Sequence, residues 1–325
     1  MTRSLFPSHY LGLPMTFPSP AHPPRRTRRY WRRLIAILVV AVLLTVGGIP
    51  ALLGVATTVS LLYSPCDEHA TTPGDFGLAW EDVALTAGDN TIRAYFIPGN
   101  DGDAPHPAII IPPTTNSGRG TRLDLADMLA RHGYAVLTYE SRRCAGMGPL
   151  SLGFKETDEV GDALAYLQTR GDVDPDRIGI TGFSSAGATT IMAAARYPAL
   201  RAVIAEGGYG DFAQNVIGTH SDSDTVFEAI YKWSIAGSYR VITGVSMDKL
   251  SPLDVIDRIA PRPILLIYGS RERSLAGAKQ QLAAAGPTAD LWIVEGAGHG
   301  KYRMMAPDEY ETRVIAFFDS ALLGE

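Results

Sequence analysis

The chain has 325 residues, of which 46% are hydrophobic and 19% charged, so it can bury a large core. Its net charge of -5 is unevenly divided, because residues 1–66 hold seven of the 29 Lys and Arg residues and none of the 34 acidic ones. The remainder is therefore strongly acidic, which argues against a nucleic-acid surface built from clustered Lys and Arg.

The N-terminal part of the chain has the pattern of a membrane anchor. Residues 1–33 are rich in Pro, Ser and Arg without apolar periodicity, which predicts a disordered, basic cytoplasmic tail. Residues 34–63 carry no charge and exceed the roughly 20 helical residues that span a bilayer, which predicts one transmembrane helix. A cleaved signal peptide, with an apolar region of about 7–15 residues, is the alternative. The preceding arginines orient the N-terminus to the cytoplasm and the rest of the chain to the outer face.

Residues 64–79 are expected to be a linker, and residues 80–325 a catalytic domain. Two β-rich runs around Gly88 predict a hairpin. Short apolar runs and amphipathic stretches then alternate along the chain. The predicted strands are 108–111, 134–139, 177–181, 202–206, 264–268 and 291–294, and the predicted helices are 122–132, 156–169, 185–196, 275–285 and 308–322. This alternation predicts an α/β fold with a mostly parallel sheet covered on both faces by helices.

The stretch from 211 to 250 interrupts that alternation. It contains Phe227, Tyr231, Trp233 and Tyr239 at loosely helical spacing. An ordinary crossover helix with a buried aromatic face would give this pattern. Because the stretch is longer than one crossover helix, we favour a helical lid that shapes the substrate pocket.

A nucleophile elbow is predicted between the strand ending near Gly182 and the helix that follows it. The segment GFSSA has small residues around a serine on a tight strand-to-helix turn. A nucleophile elbow requires small residues there because its backbone is tightly folded. Aligning on Gly182 selects Ser184, whereas aligning on Gly187 selects Ser185. The second alternative would place a phenylalanine at the crowded first position, so Ser184 is the predicted nucleophile.

A catalytic serine needs a base that an acid holds in place. His220 and His299 are the histidines that follow the elbow, and we assign the base to His299 because its glycine-rich loop follows the last strand. His220 lies in the presumed lid and is expected to be a solvated polar residue. Glu272 is the predicted acid, since it is the only carboxylate in the loop after the strand ILLIYG. Glu206 is the alternative acid.

The tetrahedral intermediate needs two backbone N–H donors. The amide of Ser185, next to the nucleophile, is the first predicted donor. The second is expected from the loop after the strand AIII, where two prolines have no N–H to donate. Thr114 is our candidate for the second donor, with Thr115 as the alternative.

The cysteine and histidine content predicts neither a disulfide framework nor a metal site. Cys66 follows the predicted anchor and Cys144 lies in a distant loop, so we do not expect them to pair. No Cys or His residues have the spacing of metal ligands.

From about Trp80 to Leu323 the chain resembles the α/β-hydrolase superfamily, and most of all its dienelactone-hydrolase and prolyl-oligopeptidase-like branch. The resemblance rests on DRIGITGFSSAG and the helical stretch before it. It implies a triad of Ser184, Glu272 and His299, no cofactor, and hydrolysis of an ester, thioester or amide through an acyl-enzyme. The expected partners are a small or lipid-like acyl substrate and the membrane. A peptidase or acyltransferase with the same triad, or a non-catalytic binding module, are the alternatives.

Overall fold

Eight strands among the described residues form a single sheet. The computed structural model describes residues 27–67, 70–99, 105–214, 218 and 224–324. The strands are β1 (Glu81–Ala87), β2 (Asn90–Ile97), β3 (His106–Ile111), β4 (Ala135–Tyr139), β5 (Val173–Phe183), β6 (Leu200–Glu206), β7 (Ile264–Gly269) and β8 (Ala289–Val294). Their spatial order is β1-β2-β4-β3-β5-β6-β7-β8. The β1–β2 and β2–β4 pairs are antiparallel, and the other neighbours are parallel.

Helices cover both faces of this sheet. The helices of the described residues are α1 (Arg28–Leu43), α2 (Ile49–Leu62), α3 (Leu123–Arg131), α4 (Glu156–Gln168), α5 (Ser185–Arg196), α6 (Val226–Thr243), α7 (Leu275–Ala285), α8 (Tyr302–Met305) and α9 (Pro307–Phe318). One hydrophobic cluster joins the sheet to α4, α5 and α7. A second cluster joins it to α3 and α9 on the other face. Because both faces are covered, all five residues of β4 are buried, as expected for a central strand in such a sheet.

The predicted fold class is confirmed, and most element boundaries agree within a few residues. The hairpin turns at Gly88, and both α5 and α7 have the predicted limits. The clearest difference is β5, which begins at Val173 because that residue pairs with His106 beyond the apolar run. Strand β5 is therefore longer than the apolar run from which it was predicted.

The N-terminal segment contains a long apolar helical stretch. Residues Arg28–Leu62 are 35 in number and have a mean hydropathy of 2.7 in their most apolar window, enough to cross a membrane by length and composition. A signal sequence would meet the same criterion. One compact unit ends at Thr45 and the other begins at Val46, so α2 belongs to the unit that contains the sheet. The predicted boundary, with an anchor at 34–63 and a domain from 80, differs from this division.

The reason for the difference is that α2 packs closely against α6. The residues Pro50, Gly54, Thr58 and Leu62 recur every fourth position and are buried. At Gly54 an added Cβ would lie 2.7 Å from the Tyr231 carbonyl oxygen, so only glycine fits there. The Ser238 hydroxyl donates to Thr58 Oγ1 at 2.8 Å. Small and hydroxyl residues on one face of an apolar helix allow this close helix–helix contact.

Cys66 and Cys144 form a disulfide, so the expectation that they do not pair is wrong. Their Cα atoms are 5.1 Å apart, although 78 residues separate them in the chain. Asp67 N and Asn116 O are hydrogen-bonded at 2.7 Å, which holds the segment after α2 against the loop that follows β3. The two cysteines lie close together because α2 packs against the domain. Their separation in the sequence therefore did not indicate the disulfide.

Candidate active site

Ser184 lies on a sharp turn between β5 and α5. Its backbone has φ +58° and ψ -122°, and its N–H donates to the Glu206 carbonyl at 2.8 Å. A positive φ is costly for a residue with a Cβ and is found where the surrounding structure enforces it, commonly at functional sites. At Gly182 an added Cβ would lie 2.4 Å from the Ala186 carbonyl oxygen, so this turn requires glycine. The strand and helix thus meet with the serine at the apex.

Three side chains from three loops form a chain of hydrogen bonds. Ser184 Oγ lies 3.1 Å from His299 Nε2, and His299 Nδ1 lies 3.0 Å from Glu272 Oε2. These loops follow β5, β8 and β7, so the carboxyl ends of parallel strands bring them together. The side chain of His299 is 50% exposed, whereas that of Glu272 is 2% exposed. The geometry matches the nucleophile–base–acid arrangement in which a serine hydroxyl is activated.

Glu272 is held by a set of donors that favour its charged form. It accepts hydrogen bonds from His299, from Gly269 N at 2.8 Å, from Ser274 Oγ at 3.0 Å, and from the Tyr302 hydroxyl. Burial by itself would raise the pKa of Glu272. The hydrogen bonds from His299, Tyr302, Gly269 and Ser274 outweigh burial and hold the pKa below its ordinary value. An ionised Glu272 can then orient His299 and stabilise its protonated form.

The imidazole of His299 rests on an aromatic ring. The ring centroids of His299 and Phe183 are 4.7 Å apart. Gly207 also lies close to His299: it has φ +58°, and an added Cβ there would lie 3.1 Å from His299 Nδ1 and would clash with the Tyr302 hydroxyl. Phe183 and Gly207 therefore restrict the position of the His299 ring. Sequence reasoning missed these supports and Tyr302, and the only signal for Tyr302 was its position three residues after His299.

The alternative acid Glu206 is engaged elsewhere. Its side chain is 2% exposed, pairs with Arg122 at 3.3 Å and accepts a hydrogen bond from the Tyr310 hydroxyl at 2.8 Å. Glu206 is therefore bound to Arg122 and Tyr310, and it does not contact His299. The alternative base His220 lies outside the described residues.

The structure places the two candidate oxyanion loops beside the elbow. Ser185 is the first residue of α5, and its amide follows the Ser184 turn directly. Thr115 lines the cavity that contains Ser184, whereas Thr114 lines a smaller neighbouring cavity and bonds through its hydroxyl to Ser117. The alternative second donor, Thr115, is therefore the one that shares a cavity with the nucleophile.

A cavity of about 450 Å³ opens onto the hydrogen-bonded chain. Its lining residues are Leu61, Thr115, Leu152, Ser184, Ser185, Gly207, Tyr209, Phe212, Arg271, Glu272, Arg273, Ser274 and His299. Leu61 comes from α2, and Phe212 opens the stretch predicted to be a lid. Helix α6 contributes no lining residue itself. It supports α2 instead, so its role as a lid stays a prediction. A second cavity of about 460 Å³ is lined by residues such as Arg196 and Asp254, and its described lining does not include Ser184, Glu272 or His299.

Within the described ranges, no group of three or more His, Cys, Asp or Glu side chains is arranged to hold a metal ion.

A family model described as X-Pro dipeptidyl-peptidase (S15 family) matches residues 79–258. This is more than half of the chain. The chain belongs to the S15 peptidase family. The matched region includes Ser184 and ends before Glu272 and His299, so the contacts of these two residues rest on the structure alone.

Known structures agree with this S15-family assignment at the level of the fold. An esterase from Pyrococcus furiosus, Pf2001, superimposes with a TM-score of 0.63 at 18% identity, covering 79% of this chain and 99% of that one. A putative dienelactone hydrolase from Klebsiella pneumoniae superimposes with a TM-score of 0.54 at 18% identity, covering 74% of this chain and 98% of that one.

The chain also resembles a protein in sequence. An uncharacterised protein of Escherichia coli K12, YfhR, is 26% identical over 256 residues, covering 74% of this chain and 81% of that protein. The chain is therefore a hydrolase of this peptidase family and has the α/β-hydrolase fold.

Proposed function

We propose that this protein is a serine hydrolase that cleaves a carboxylic ester through an acyl-enzyme on Ser184. The observation that carries the proposal is the continuous hydrogen-bonded chain from Ser184 through His299 to the buried Glu272. It lies at a cavity large enough for an acyl group.

The geometry supports a two-step reaction. His299 Nε2 accepts the hydroxyl proton as Ser184 Oγ attacks the carbonyl carbon, and Glu272 stabilises the imidazolium. The amides of Ser185 and of Thr115 or Thr114 donate to the oxyanion. His299 then gives the proton to the leaving alcohol, and the acyl-enzyme forms. A water molecule, deprotonated by His299, then attacks the acyl-enzyme carbonyl. His299 returns that proton to Ser184 Oγ as the C–O bond breaks, which releases the acid and the free serine.

Peptide cleavage is the second candidate, because the family to which the chain belongs is described as a dipeptidyl-peptidase family. The same acyl-enzyme serves an amide, a thioester or transfer to an acceptor alcohol. An exopeptidase that captures a peptide amino terminus pairs that ammonium with a carboxylate or with backbone acceptors. Among the described residues that line the cavity, Glu272 is the only carboxylate, and it is already bonded to His299. The ester is therefore the favoured substrate.

We further propose that the N-terminal helix anchors the enzyme in a membrane with its catalytic unit on the outer face. A cleaved signal sequence fits poorly, since removing α2 would take away the buried Leu62 and the cavity residue Leu61. The 35-residue stretch is about 52 Å long as a helix. Roughly 20 residues span the bilayer, so the packed end of α2 can lie outside it. The Cys66–Cys144 disulfide supports an oxidising, external compartment.

The first test is hydrolysis of p-nitrophenyl esters, from acetate to palmitate, by the full chain in detergent micelles. Ser184→Ala should abolish turnover, and a fluorophosphonate probe should label the parent protein but not this variant. Parallel assays with an X-Pro p-nitroanilide measure peptidase activity. Labelling retained in Ser184→Ala but lost in Ser185→Ala would reassign the nucleophile. A folded parent protein that neither labels nor turns over any substrate would favour a non-catalytic binding module.

A further inference from the structure

Two arginines lie at the cavity that contains Ser184. Arg271 and Arg273 flank Glu272 in the loop between β7 and α7, and both line this cavity with exposed side chains. The backbone of the loop is held in place, since Arg271 N donates to Ala297 O at 3.0 Å and Glu272 N donates to Gly269 O at 3.1 Å. The two cations are therefore carried on a fixed loop next to the histidine loop.

Neither guanidinium has an acidic partner among the described residues. Most arginines of the catalytic unit do have one: Arg93, Arg119, Arg122, Arg131, Arg142, Arg170, Arg177, Arg196, Arg201, Arg303 and Arg313 pair with carboxylates. Two cationic side chains that line one cavity raise its electrostatic potential and attract an anion. Their location in the cavity makes a substrate the natural source of that anion.

The described side chains that line the cavity carry a net positive charge. The lining carries two guanidinium groups and one carboxylate, Glu272, whose oxygens are occupied by His299, Tyr302 and Ser274. A positively charged peptide amino terminus would be repelled here, whereas an anionic group would be attracted. Guanidinium groups bind carboxylate and phosphate oxygens in a forked geometry.

The rest of the lining is apolar. Leu61, Leu152, Tyr209 and Phe212 contribute hydrocarbon or aromatic surface to the same cavity. An acyl chain suits these side chains, and a negatively charged group suits the arginines. The cavity therefore has the two kinds of surface that an anionic amphiphile requires.

We propose that Arg271 and Arg273 bind an anionic group, a carboxylate or a phosphate, on the leaving-group side of the ester that Ser184 cleaves. This inference rests on the proposed function and specifies its substrate class. The leaving-group side follows from the geometry: His299 protonates the leaving alcohol, and Arg271 is hydrogen-bonded to Ala297, two residues before His299. The acyl part then extends toward the apolar lining.

The test uses two esters that differ only in charge. 4-(Butyryloxy)benzoate carries a carboxylate on its leaving group, and 4-(butyryloxy)benzamide carries an uncharged amide. Charge-assisted hydrogen bonds of ordinary strength correspond to about 10-fold to 100-fold in kcat/KM in favour of the anion. Arg271→Gln combined with Arg273→Gln should bring the ratio close to that of uncatalysed hydrolysis. Arg271→Lys combined with Arg273→Lys keeps both charges but loses the forked donors, so it should recover only part of the preference.

Arg313→Gln is the matched control, because Arg313 pairs with Glu309 on the surface of α9, outside the cavity. It should leave the ratio unchanged. Thermal unfolding of each variant checks that the fold is retained. Raising the ionic strength should reduce the preference of the parent protein, since screening weakens exposed charge pairs.

The outcomes separate this inference from the function on which it rests. Turnover that depends on Ser184, with no preference for the anion or a preference that survives the double Gln variant, would overturn the inference and leave the proposed function standing. Absence of both turnover and fluorophosphonate labelling at Ser184 would overturn both.

A second pair of substrates identifies the source of the anion. 1-Oleoyl lysophosphatidic acid and 1-oleoylglycerol, presented in the same detergent micelles, compare an anionic and a neutral lipid headgroup. A preference for the phosphate lipid that requires both arginines assigns the anion to a lipid headgroup. The same preference confined to the benzoate pair assigns it to a soluble ester.

Discussion

At the scale of single residues, Glu272 connects the parts of the candidate site through its hydrogen bonds. Four donors reach one carboxylate that is 2% exposed, and one of them is the histidine that contacts Ser184. The hydrogen bonds hold its pKa below the ordinary value of 4.5 against the effect of burial. The ionised carboxylate therefore stabilises the folded state at pH values above 4.5, and this contribution is lost as the pH falls through the pKa of the folded state.

Tyr302→Phe removes one of these donors, and its effect on stability should depend on pH. At pH 7 we expect the free energy of unfolding to fall by about 1–3 kcal/mol, the cost of losing a hydrogen bond to a charged group. At an acid pH below the pKa of Glu272 in the folded state, the carboxylate is protonated and the difference from the parent protein should shrink. Urea unfolding at the two pH values measures it.

Tyr239→Phe provides the matched control for that experiment. Tyr239 is also buried, and its hydroxyl donates to the neutral Ser151 carbonyl at 2.7 Å. Its loss should cost the same at both pH values. Equal costs at both pH values for Tyr302→Phe as well would contradict the role given to the Glu272 charge.

The sequence allowed the residues of the hydrogen-bonded chain to be predicted, because each has a local signal. Ser184 lies between small residues, His299 is flanked by glycines, and Glu272 is the only acid in its loop. Tyr302, Phe183 and Gly207 have no comparable signal, since they act through contacts between loops. The second oxyanion donor was ambiguous for the same reason: Thr114 and Thr115 are adjacent, and only the cavity distinguishes them.

At the scale of elements, the contact between α2 and α6 connects the N-terminal segment to the active site. Leu62 is fully buried in a hydrophobic cluster with Leu152, Tyr209 and Phe212, three residues that line the cavity. Its neighbour Leu61 lines the cavity directly. The position of α2 therefore determines part of the shape of the substrate cavity.

Gly54→Leu should disrupt this contact. A Cβ at residue 54 would lie 2.7 Å from Ser234 Cβ and 2.7 Å from the Tyr231 carbonyl oxygen, so the helices must separate. Overpacking of this kind costs about 1–3 kcal/mol. We expect a lower midpoint of thermal unfolding in detergent micelles and a higher KM for long-chain esters.

Gly47→Leu is the control for the change in size and hydrophobicity. An added Cβ at Gly47 meets no atom within 4 Å. Leucine also has a higher helix propensity than glycine, so this variant should be as stable as the parent protein or more so. Equal unfolding midpoints for the two leucine variants would show that the α2–α6 contact contributes little.

At the scale of the whole molecule, the chain divides at a different place from the one that composition suggests. Charge and hydropathy predict an anchor that ends at residue 63 and a domain that begins at residue 80. The compact unit instead begins at Val46, since α2 packs on α6 and the Cys66–Cys144 disulfide ties the following segment to the domain. The second half of the apolar stretch thus has a structural role in the catalytic unit.

Two truncations in detergent micelles test this division. Residues 46–325 should retain the thermal unfolding midpoint and the ester turnover of the full chain. Residues 64–325 lack Leu61 and Leu62, and the loss of Leu62 alone removes about 2–3 kcal/mol of hydrophobic burial. We expect that fragment to unfold at a lower temperature and to hydrolyse long-chain esters poorly. Equal stability and turnover for both fragments would place α2 outside the catalytic unit.

The sequence by itself determined the fold class, the order of strands and helices, and which serine, acid and histidine to examine. These features follow from local patterns, namely hydrophobic periodicity, small residues at a tight turn, and the carboxyl ends of consecutive strands. The tertiary structure alone decided the pairing of Cys66 with Cys144, the packing of α2 on α6, and the exposure of Arg271 and Arg273 in the cavity. Each of these depends on residues far apart in the chain, whose approach is set by the packed core and not by any local preference.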